Sequence, residues 1–131
     1  MLDERQHDKY QAGAEGIIEP GEQVEAAAWG WESQPSTASV VAAGIFGLLR
    51  APAQLQKGRI VLVTPANVYL AKAKPFSAYK CAELIDKTPR AGVSSSFTGD
   101  DLLVGDHKVE IGPNPRYRRA AESVVEALGD P

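Results

Sequence analysis

Residues 57–76, KGRIVLVTPANVYLAKAKPF, constrain the fold more tightly than any other stretch. Ile60, Leu62 and Thr64 alternate with Val61 and Val63, and after a break Val68 and Leu70 alternate with Tyr69 and Ala71. A period of two in β-branched and aromatic residues marks extended backbone. The break itself has turn chemistry. Pro65 suits the second position of a type I turn, and Asn67 tolerates the left-handed conformation that closes such a turn into a bulged hairpin. Pattern and turn agree on strand, turn, strand.

Other segments repeat this logic. GEQVEAAAWGWES follows a Glu19-Pro20-Gly21-Glu22 turn and alternates Val24, Ala26 and Ala28 with Glu25, Ala27, Trp29 and Trp31. It fits a strand with two usable faces better than a helix carrying Gly30, although AEAAA also reads as helix. PFSAYKCAE, residues 75–83, reads as a strand that Pro75 confines to a start or an edge, and Lys87-Thr88-Pro89-Arg90 reads as the next break. AGVSSSF places Val93, Ser95 and Phe97 in alternation, and DDLLVGDHKVEIG is a second hairpin turning at Gly105-Asp106. The count is about seven strands joined mostly by short turns.

Two segments are helical instead. LDERQHDKYQA has no β-branched residue and sets Gln6 and Tyr10 one helical turn apart, predicting a short polar helix with little apolar surface to bury; Gly13 and Gly16 interrupt it. At the other end Asn114 suits an N-cap and Pro115 the first helical position. Tyr117, Ala120 or Ala121, Val124, Val125 and Leu128 then form an apolar stripe up to Gly129. A lone amphipathic helix must dock on something, and the sheet is the only large partner. The expected division is an extension over 1–16 and one domain over 17–131, with residues 40–50 inserted between the first two strands and the last helix at 115–128.

The insert is the most hydrophobic segment, from Val40 to Leu49. As a helix it would rise about 15 Å, half the apolar thickness of a bilayer, so it cannot span one. Three roles remain open: a buried helix, a self-association surface, or a segment lying in a membrane interface. Ile45, Phe46, Leu48 and Leu49 are the contact candidates for the last two.

Size and composition fit a soluble globular chain. Its 131 residues are enough to bury roughly two-thirds of the unfolded surface. The single cysteine, Cys81, cannot form an internal disulfide, and the acidic MLDERQHDKY differs from a secretory signal, so a cytoplasmic location is expected. The net charge of -3 hides an asymmetry. Residues 1–35 carry eight acids against Arg5 and Lys9, whereas residues 50–90 carry eight basic residues against Glu83 and Asp86. Such a division marks either a basic binding face or mutual shielding of the two halves.

Familiar chemistry is absent from the pattern. His7 and His107 lie at opposite ends, so no metal site is expected, and no residue in the sequence supplies Cys81 with a base. Ser94-Ser95-Ser96 lack a nucleophile elbow; Asp100, Asp101, Asp106 and Glu110 lack calcium-loop spacing; no glycine-rich loop leads into Lys-Ser/Thr. His107 is expected to be exposed beside its turn. No cofactor and no small-molecule substrate is indicated, and an overall acidic chain without a basic stripe argues against nucleic acid. Arg116, Arg118 and Arg119 sit where they oppose the dipole of the last helix, which calls for a nearby anion: a carboxylate of the acidic N-terminal segment, or a phosphate-bearing ligand.

In EPGEQVEAAAW, in GRIVLVTPANVYLA and in LLVGDHKVEIG before the final helix, the chain resembles small bacterial pleckstrin-homology-like proteins over about residues 17–128. It departs from them at Pro65, where an acidic residue is common, and in the apolar insert. The resemblance implies a mainly β fold with α: a bent antiparallel sheet or partly open barrel of about seven strands, capped by a C-terminal helix, here with a short N-terminal helix added. It also implies a binding or assembly module; the missing catalytic set adds that no enzyme is expected, with an enzyme using Cys81 or Asp101 as a third reading. The expected partner is a protein, possibly the chain's own copies. The alternative is a peripheral membrane module with Ile45, Phe46 and Leu48 inserted and Arg50, Lys57 and Arg59 meeting anionic headgroups.

Overall fold

The computed structural model describes residues 2–32, 58–75 and 77–129. In chain order the elements are helix α1 (Glu4–Gly13) and strands β1 (Ala26–Glu32), β2 (Gly58–Val63), β3 (Asn67–Ala73), β4 (Cys81–Pro89), β5 (Ser95–Thr98), β6 (Asp101–Val104) and β7 (His107–Glu110), followed by helix α2 (Pro115–Gly129). The seven strands make one antiparallel sheet in the order β4-β3-β2-β1-β7-β6-β5. It is bent and open, as expected. β1 forms the corner: it pairs with β2 from Ala26 to Trp31 and with β7 only at Trp31 and Glu32. Gly30 is required there, because a Cβ would lie 2.5 Å from the Glu110 carbonyl oxygen and 2.6 Å from Val109 Cγ1.

Both hairpins form where the turn residues place them. Val63 pairs with Val68 across Thr64–Asn67, and Val104 pairs with His107 across Gly105-Asp106, with Gly105 at φ 58°. Asn114 caps α2 as its side chain predicts, accepting the Arg116 N–H at 2.9 Å.

Two apolar layers explain the burial. On one face Ala26, Ala28, Val61, Val63, Val68 and Leu70 meet Leu102, Val104 and Val109 beneath Ala120, Ala121 and Val124 of α2. The other face, carrying Ala27, Ile60, Leu62, Tyr69, Ala71 and Cys81, is covered by Tyr10, Ala14 and Val24 with Ile17 and Ile18. β2 is therefore buried at every residue. The polar N-terminal helix has more to bury than its composition suggests: Tyr10 is fully buried, and Gly13 packs so close to the Tyr79 carbonyl that a Cβ would lie 2.0 Å from that oxygen.

The strand expected over 75–83 is displaced. Among the described residues here, 74, 75 and 77–80 lie outside any strand: the Lys74 N–H donates to Lys80 O, and Ser77 Oγ accepts the Lys80 N–H. The break expected at 87–90 is strand instead, since Tyr69 pairs with Lys87, Val68 with Thr88 and Asn67 with Pro89. Pro89 is tolerated because it ends an edge strand. The β3–β4 register shifts twice and skips Ala82 and Ile85, two bulges on that edge.

Candidate binding crevice at the open seam

The bend that leaves β4 at one edge of the sheet brings it opposite the β6–β7 turn, and a crevice of about 350 Å³ lies between them. That is near the lower end for ligand pockets, ~300–1,000 Å³. Its floor is apolar: Val61, Val68 and Leu70 from β2 and β3, with Val93 and Val104. Its rim is polar: Asp86 and Thr88 from β4, Ser94 from the following loop, and Asp106 and His107 from the turn.

One side-chain bond crosses the seam, between His107 Nε2 and Asp86 Oδ2 at 2.8 Å. The other carboxylate oxygen of Asp86 accepts the Lys87 N–H at 2.9 Å. The His107 bond, ahead of the Lys87 N–H and the Thr88 hydroxyl, outweighs the cost of desolvation and holds the Asp86 carboxyl below the usual range. His107, expected to be exposed beside its turn, is half-buried and bonded to Asp86. Neither residue stands out in the sequence: they lie 21 positions apart, and only the bend makes them neighbours.

The predicted contact residues fall elsewhere. Ile45, Phe46, Leu48, Leu49, Arg50 and Lys57 lie outside the described residues. Arg59 is buried, with its guanidinium 3.1 Å from Glu32 and donating to Gly58 O, so its charge is already met within the sheet. Arg118 finds a carboxylate, though not one from the acidic N-terminal segment: it pairs with Asp100 at 2.8 Å, donates to the carbonyls of Gly99 and Gly112, and stacks over Phe97. The helix thereby grips the β5–β6 turn. Arg116 and Arg119 are exposed, and the structure does not bring them to Arg59 or to the crevice. Cys81 is a core residue, and burial pushes its thiol up to about 11. Among the described residues no three His, Cys, Asp or Glu side chains converge as metal ligands, and no helix is long and apolar enough to cross a membrane.

Comparison with protein-family models, with curated proteins and with solved structures found no match.

Proposed function

We propose that this chain is a pleckstrin-homology-like module that works without catalysis by binding protein, most simply a second copy of itself. Seven antiparallel strands in one bent sheet, with a terminal helix packed on it, support the fold assignment, since the resemblance implies a bent sheet capped by a C-terminal helix. The observation that carries the binding reading is at β4. Leu84 and Ile85 lie side by side on this edge strand, 39% and 41% exposed. Two adjacent large apolar side chains on a strand that is an edge among the described residues favour a partner. The two bulges and Pro89 oppose open-ended strand addition, so the contact that fits is a closed pair about a twofold axis.

Light scattering of the purified protein at high micromolar concentration tests this. A dimer is expected that Ile85→Asp converts to monomer, with Phe46→Asp reporting on the apolar insert. A strict monomer, unchanged by either substitution, defeats self-association.

A further inference from the structure

We propose that the seam crevice binds a primary aliphatic ammonium group, with its chain on the valine floor and its charge at Asp86 and Asp106, and that protonation of His107 weakens this binding. The site is distinct from the Leu84–Ile85 contact and does not depend on it.

Charge sets the ligand's sign. Among the described residues, the crevice is lined by two carboxylates, Asp86 and Asp106, and by no lysine or arginine. Nearby cations are directed elsewhere: Lys87 pairs with Glu19, and Lys108 lies 3.5 Å from Asp101. Tyr69 borders the crevice, but its hydroxyl is bound to Glu22. While the imidazole is neutral, the described residues of the rim carry a net negative charge above an apolar floor. An aliphatic chain ending in a cation matches both parts.

Geometry selects ammonium over guanidinium. A carboxylate oxygen accepts about two hydrogen bonds. Oδ1 of Asp86 already takes the Lys87 N–H, and Oδ2 takes His107. The Thr88 hydroxyl bonds this carboxylate as well, so one acceptor position remains, beside existing donors. A forked guanidinium needs both oxygens in one plane, whereas an ammonium can use a single position and turn its other donors to Asp106 or Ser94.

His107 faces Asp86 from across the seam, Asp106 from the turn, and Lys108 as its neighbour on β7, itself beside Asp101 of β6. Imidazoles titrate between about pH 5 and 8. On protonation, a unit positive charge sits within hydrogen-bond distance of the carboxylate that the ligand needs. Two like charges about 4 Å apart in water-like surroundings weaken binding roughly fivefold. Affinity is then highest while the imidazole is neutral and falls once it is protonated.

The experiment is a ¹H–¹⁵N NMR titration of the full chain with n-pentylammonium at pH 8 and pH 5.5, alongside n-pentanol and pentanoate. Expected are shifts at Val93, Ser94, Gly105, Asp106 and His107, weaker binding of both controls, and roughly fivefold weaker ammonium binding at the lower pH. Asp86→Asn and Asp106→Asn should each weaken it; the second keeps the turn, where Asn serves as well as Asp. His107→Gln should bind at pH 8 and lose the pH dependence. Nα-acetyl-lysine N-methylamide in parallel separates a polypeptide lysine from a free amine, and binding of either supports the site. Pentanol binding as well as pentylammonium, shifts confined to other surfaces, or pH dependence surviving in His107→Gln would overturn it.

Discussion

Replacing Tyr69 with Phe would remove one oxygen atom from the point where the N-terminal loop is tied to the sheet. The ring is 1% exposed and packs in the layer under α1, so its apolar contacts survive the change. The hydroxyl donates to Glu22 Oε2 at 2.6 Å and accepts the Glu19 N–H at 3.2 Å, while Asn67 Nδ2 donates to Glu22 Oε1 at 2.7 Å. Hydrogen bonds to charged groups contribute about 1.5–3 kcal/mol. Glu22 is half-buried and keeps Asn67, and Glu19 is exposed, so water replaces part of what is lost. The cost should therefore lie at the low end, about 1.5 kcal/mol. In urea at pH 7, with a slope near ~2 kcal/mol/M, the midpoint should fall by roughly 0.7 M with the slope unchanged.

Acid provides the second half of the test. Burial alone would raise the Glu22 carboxyl, but hydrogen bonds from Tyr69, Asn67 and Thr64, with the charge of Lys87, outweigh it and hold the group below its usual range. A depressed carboxyl contributes stability that is fully present above the unfolded value, about 4.3, and is lost as the pH falls through the folded value. The gap between the parent and Tyr69→Phe should thus narrow below about pH 4. On a Glu22→Gln background the same substitution should cost less at pH 7. A gap that is equal at pH 3 and pH 7, or a parent-like midpoint at pH 7, would refute the reasoning.

Arg90 holds three elements at once, pairing with Glu25 at 2.5 Å and donating to Thr64 O at 3.2 Å and to Ala127 O in the last turn of α2 at 2.7 Å. Arg90→Met keeps the stem and should cost about 2 kcal/mol in thermal unfolding, with faster amide exchange near the α2 C-terminus. Tyr10 carries a fully buried hydroxyl without a hydrogen-bond partner, and burial raises its ionisation far above the usual tyrosine range. Tyr10→Phe should therefore be neutral or stabilising by about 1 kcal/mol; a loss of that size in urea denaturation would mean that the oxygen has a partner in solution.

The cores of the two hairpins were legible because both signals are local: alternation reports which side of a strand meets solvent, and turn residues report backbone angles. The end of β4 was not. Lys87-Thr88-Pro89 has break-like composition, yet it pairs with Asn67, Val68 and Tyr69, so cross-strand bonds outweighed weak local preferences. The role of α1 was hidden for a related reason. Its single large buried apolar side chain, Tyr10, makes no stripe, and its fit depends on Gly13 meeting a backbone about 65 residues away. The anion near the start of α2 was foreseeable as a need, because cations oppose the dipole there; its source, Asp100, was set by how the helix lies over the β5–β6 turn.

Local pattern alone specifies the strand-and-turn succession and the cap and apolar stripe of the last helix. These follow from sterics and solvation acting over a few residues. Long-range packing sets the rest: β2 is covered on both faces, Arg59 is occupied by Glu32, and Asp86 meets His107 above a valine-lined crevice. That last contact joins β4, at one edge of the sheet, to β7, four places along the strand order. Its position is set by twist and bend accumulated over the intervening strands, a quantity to which each residue contributes a little and none announces alone.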